Sequence, residues 1–101
     1  PFVDSRADEA ELWQRALAVA AEAETFFEVA TEAKRAGDRA ALNANGREAR
    51  ERFNRALDDT VAFEQEALAA HGEQDASVAR ITSARAVWFD RLRWLLVSVG
   101  R

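Results

Sequence analysis

Four kinds of residue in this chain could carry chemistry: one histidine, a ladder of glutamates, an arginine among apolar residues and a few serines. His71 is the sole imidazole. A phosphotransfer bundle places its His mid-helix, with small residues and a Lys after it. Here Gly72 and Glu73 follow, which predicts a helix-end His favoured by the macrodipole. Glu24, Glu28 and Glu32 share one helix face at a spacing of four. A di-metal bundle needs Glu-x-x-His pairs aimed inward, and the position three before His71 is Leu68. The glutamates therefore read as an outward face, and no metal or cofactor is expected. Arg85 is the sharpest anomaly, because it falls between Ile81 and Trp88 on an apolar stripe. A guanidinium there needs a carboxylate, such as Asp58 or Glu64, or a bound anion. Ser5, Ser77, Ser83 and Ser98 have no triad partner, and four scattered glycines build no phosphate loop.

The elements that must position these residues are legible from composition and spacing. At 101 residues the chain is one domain. It lacks Cys, which removes disulfides and thiolate sites, and its net charge of −4 recommends neither nucleic acid nor an anionic membrane. No apolar run is long enough to span a bilayer. The sequence has no Met, so an excised domain or a processed chain is expected. The sequence does not assign a location; it favours the cytoplasm slightly over a processed periplasmic or secreted origin. Arginine outnumbers lysine 13 to 1 and there are 23 alanines, a bias expected of a GC-rich bacterial genome.

After Pro1 the chain has no proline, so Gly37, Gly46, Gly72 and Gly100 are its punctuation. The pattern predicts helices over about 5–36, 38–71 and 75–99. Asp4 or Ser5 caps the first, Lys34, Arg35 and Gly37 close it, and Asp38 caps the second. Gly72 ends the second, and Gln74 or Asp75 opens the third. Apolar residues step by three and four along each: Leu12, Ala16, Val19, Ala23, Phe26, Ala30 and Ala33 in the first, with Trp13, Leu17, Ala20 and Phe27 beside them. The second carries Ala49, Phe53, Ala56, Thr60, Phe63, Ala67 and Ala70; the third carries Val78, Ile81, Arg85, Trp88, Leu92, Leu95 and Val99. Such stripes, joined by very short loops, predict an all-α, elongated, antiparallel up-down-up three-helix bundle with coiled-coil-like seams.

The third helix is shorter than the other two. Residues 31–46 are therefore expected to project as a hairpin tip, and Asn43, Asn45 and Gly46 make a kink near 43–46 as credible as a continuous helix. Charge alternates in blocks: net −6 over 1–33, +4 over 34–57, −6 over 58–77 and +4 over 78–101. Lys34, Arg35, Arg39, Arg47 and Arg50 could form a basic tip for an anionic partner. The favoured reading is cross-helix neutralisation, with Glu28 near Arg47, Glu24 near Arg50, Glu22 near Arg52, Arg15 near Asp59, Arg80 near Glu66 and Asp90 near Arg55. Phe53, the sole aromatic in the basic stretch, belongs to the seam, so stacking on nucleic-acid bases is not expected.

The third helix ends in VWFDRLRWLLVSV, greasier than one seam requires. Trp88, Leu92, Leu95 and Val99 serve the core, Phe89 and Leu96 broaden that face, and Val87, Trp94 and Val97 are expected to point away from it. Val87, Phe89, Trp94, Leu96 and Val97 are accordingly the expected interface, for a homodimer or another protein partner.

Gly37, Ala49, Phe53 and Ala56 fall at offsets resembling a tetratricopeptide repeat, although the first helix is far too long and no second copy appears. Trp13 and Trp88 resemble the tryptophan placement of spectrin-type three-helix repeats, a likeness that implies architecture alone. The functional expectation is a non-catalytic interaction or assembly module. The alternative is a ligand-sensing bundle that holds a small anion near Arg85. A small all-α enzyme of mutase type ranks third, because such enzymes converge several Arg and Lys on their substrate.

Overall fold

A computed structural model describes residues 5–71 and 76–99. Three helices, α1 (Ser5–Ala36), α2 (Arg39–His71) and α3 (Ala76–Ser98), form an all-α bundle, with no strand among the described residues. The molecule is long and narrow, 56 × 23 × 18 Å. Gln74 and Asp75, the expected caps of the third helix, lie outside the described residues, as does Gly72.

The turn between α1 and α2 is built from two residues. Gly37 adopts φ 74°, which an L side chain resists, and its N–H bonds the Lys34 carbonyl at 3.2 Å. The Asp38 N–H reaches the Ala33 carbonyl at 2.8 Å, completing a Schellman closure of α1. Asp38 then caps α2, accepting the Ala41 N–H on Oδ1 at 3.1 Å. One residue thus ends one helix and starts the next, which forces α1 and α2 side by side.

Contacts along the bundle fix its topology. Trp13, Phe63 and Ile81 cluster at one end, while Ala30, Ala33 and Leu42 cluster at the other with Trp94 and Val99 packed on them. Helices α1 and α3 therefore run the same way and α2 runs against both. Between the ends, Ala16, Ala20 and Ala23 of α1 meet Ala49, Phe53 and Ala56 of α2, with Trp88 and Leu95 of α3 closing the core. The α2 seam is buried as its spacing predicts, through Ala49, Phe53, Ala56, Thr60, Phe63 and Ala67. On α1 the stripe is rotated slightly: Trp13 and Ala20 are buried, whereas Leu12 and Val19 are half-buried.

Two expectations about the tip resolve. Helix α2 continues through Asn43–Gly46. Asn45 bonds its amide to the Ala41 carbonyl at 2.8 Å, and Gly46 makes room for α3, since a Cβ there would overlap the Val99 side chain. The projecting tip is also shorter than 31–46. The end of α3 reaches Ala30, Ala33 and Leu42, so the exposed turn is residues 34–40. The reason is register: Gly46 lets α3 settle beside the hairpin end instead of stopping short of it.

Candidate functional site

The residues that could do chemistry are mostly engaged within the chain. Arg85 extends from α3 across to α2, where its Nε donates to Thr60 Oγ1 at 3.0 Å and its Nη1 to Glu64 Oε2 at 3.0 Å. Thr60 is fully buried and donates its own proton to the Leu57 carbonyl at 2.6 Å, leaving a lone pair for the guanidinium. Glu64, one of the two acids anticipated from sequence, is the carboxylate that balances Arg85. The role of Thr60 was hidden, because a threonine on an apolar stripe reads as filler. The only signal that could have exposed it is its pairing with an out-of-place arginine on the neighbouring helix.

Two further side-chain assemblies pin α3 to α1. Arg91 donates to Glu24 at 3.1 Å and lies over the Phe27 ring at 5.0 Å from its centroid. Phe27 meets Trp94 edge-on at 5.0 Å, and Lys34 sits over the Trp94 ring while donating to Ser98 Oγ at 2.7 Å. Trp94 therefore does not point away from the bundle with Val87 and Val97. It docks on α1, because the alanines at Ala30 and Ala33 leave a shallow floor that a large ring can cover. Lys34 and Ser98, which sequence reading placed in unrelated roles, close the same contact. A cleft of about 250 Å³ lies beneath it, lined by Ala33, Lys34, Gly37, Asp38, Arg39, Leu42, Val97 and Ser98.

The charge pairing differs in detail from the cross-helix scheme. Arg52 does reach Glu22, at 3.3 Å, and also pairs with Glu48 while covering the Phe26 ring. The Glu48 hydrogen bond, more than that of Glu22, pushes the Arg52 pKa above its already high ordinary value. Glu24, however, is taken by Arg91 rather than Arg50, because α3 lies on that side of α1. Arg15 pairs with Glu11, Arg55 with Glu51, and Asp90 with Arg91. Neighbours on the same helix win, four residues apart for Arg15 and Arg55 and adjacent for Asp90, because they need no tertiary ordering. Of the basic set, Lys34 is committed to Trp94 and Ser98, and Arg35 to Glu32 at 2.6 Å. Arg39, Arg47 and Arg50 are exposed, as is Arg93, and make no ion pair among the described residues.

What remains open is apolar surface. On α3, Val87 is 48% exposed, Phe89 52%, Leu96 67% and Val97 80%. These do not form one stripe: at about 100° per residue, Val87 and Phe89 sit on nearly opposite sides of α3. Phe89 and Leu96 are seven residues apart on one face, with half-buried Leu92 between them. That face follows Arg85 by one turn. On α2, Leu57, Val61 and Leu68 share a face with Glu64 at steps of three and four, and Val61 is 47% exposed. The Arg85–Glu64 pair joins these faces, so Val61, Leu68, Phe89 and Leu96 flank one groove between α2 and α3. Val61 and Leu68 were not anticipated, because each looks like an ordinary seam neighbour until α3 is seen to leave it uncovered.

Among the described residues, no group of three His, Cys, Asp or Glu could hold a metal ion, and no helix is long and apolar enough to cross a membrane. The side chain of His71, like those of Ser5 and Ser77, lies outside the described residues. Compared with known protein families, with curated proteins and with solved structures, the chain finds no match in any of the three.

Proposed function

We propose that this chain is a non-catalytic helical association module that self-associates through the α2–α3 groove. The observation that carries the reading is the row of exposed apolar side chains, Val61, Leu68, Phe89 and Leu96, beside an Arg85 already bonded to Thr60 and Glu64. Exposed apolar rows of this kind mark association surfaces, and a further helix laid in the groove would cover them. Anion sensing at Arg85 is less well supported, since both its Nε and Nη1 already have partners within the chain.

Sedimentation velocity over a concentration series tests the reading. The wild type is expected to shift from monomer to dimer, and Phe89→Glu to remain monomeric with an unchanged helical spectrum. A wild type that stays monomeric at the highest concentration would sink the proposal.

A further inference from the structure

Resting on that association reading, we infer that the second copy lies antiparallel across the α2–α3 groove, with the basic half of α2 in one copy beside the acidic half of α2 in the other. Closed dimers are isologous, so the same groove must serve both copies about a twofold axis. The register set by Thr60 against Arg85, and by Gly46 against Val99, places Leu96 level with Ala49 and Phe89 level with Ala56. The apolar row therefore runs along α2 from the level of Ala49 to Leu68, and its midpoint falls between Asp58 and Asp59.

A twofold axis at that midpoint lays residues 46–58 of one copy beside residues 59–71 of the other. The first segment has net charge +1 and the second −3, with no Lys or Arg in the second. Among the described residues Arg47 and Arg50 bring no internal ion pair to this arrangement, and neither do Asp58, Asp59 and Glu66. Among the described residues Arg93 of α3 likewise has no ion pair at the basic end, and Arg80 has none at the acidic end. Unlike blocks attract in the antiparallel arrangement. In the parallel one, like blocks would be stacked along the whole groove.

Because the chain has no Cys, introduced thiols report orientation cleanly. Arg50→Cys and Gln65→Cys variants, mixed and mildly oxidised, are expected to give the mixed disulfide, with little cross-linking of either alone. Dimer dissociation constants, measured by sedimentation, are expected to rise about tenfold or more in Phe89→Glu. They are expected to rise several-fold between roughly 50 and 500 mM NaCl, as screening weakens the attraction. Same-site disulfides, or a dimer that tightens with salt, would mean parallel pairing and overturn the orientation while leaving association intact. A dimer indifferent to Phe89→Glu would place the contact elsewhere and overturn the groove. Monomer throughout would overturn both this inference and the reading beneath it.

Discussion

Helices α1 and α2 meet through small residues, whereas α3 is held by large ones. Between α1 and α2 the floor is Ala16, Ala20, Ala23, Ala49 and Ala56, and the backbones approach closely along the hairpin. Helix α3 instead rests on Ile81, Trp88 and Leu95, and touches α1 through Arg91 and Trp94 rather than through its backbone. Alanine seams leave no space to rearrange, so they define register along a whole helix. A few bulky anchors and charge-assisted bonds define position only where they sit. Among the described residues α3 accordingly carries four of the eight exposed large apolar side chains, Val87, Phe89, Leu96 and Val97, against two each on α1 and α2.

Mutations in the two regions should therefore fail differently. The largest loss is expected for Phe53→Ala, which empties the middle of the hairpin seam and removes the edge contact with Phe27. A cost of about 3–5 kcal/mol is anticipated, read as a broad early transition in urea. Ala23→Leu should cost about 1–3 kcal/mol by overpacking a fully buried position, with Tm falling by several degrees. If it were neutral, the close α1–α2 approach would not be what sets the register. Trp94→Ala is expected to cost about 1–2 kcal/mol. Its signature should be local: faster amide exchange over the last turns of α3, with α1 and α2 protected as before. Equal loss of protection in all three helices would erase the distinction drawn between the regions. Glu32→Gln, which breaks an exposed pair with Arg35, should move Tm by no more than about 2 °C.

The same contrast governs how much could be read from sequence. The α2 seam was legible residue by residue, because steps of three and four through Ala49, Phe53, Ala56, Thr60 and Phe63 have one helical solution. The turn was legible because Gly37 and Asp38 each have a specific local role. The fate of Trp94 was not, since an aromatic on the flank of a stripe can face outward or fold onto a neighbour, and the choice depends on the alanine floor of another helix. Gly46 looked like a helix breaker because its tertiary partner, Val99, lies far along the chain. The ion pairs were legible by type but not by partner, as the competition between Arg91 and Arg50 for Glu24 is decided by where α3 lands. For the candidate groove, the sequence exposed Phe89 and Leu96 but not the α2 wall that faces them.

The turn at Gly37 and Asp38 has a consequence for how the chain reaches this arrangement. Joining two long helices through a two-residue closure makes the first tertiary contacts, Ala33 with Leu42, close neighbours in sequence, so little loop entropy opposes them. Zippering outward from that turn adds each alanine contact at small further entropic cost, which favours rapid, low-contact-order folding. Helix α3 then docks on a hairpin already formed. In a φ-value series, truncation at Leu42 should slow folding, whereas truncation at Ile81 should chiefly speed unfolding. The reverse pattern would place the nucleus at the opposite pole of the molecule.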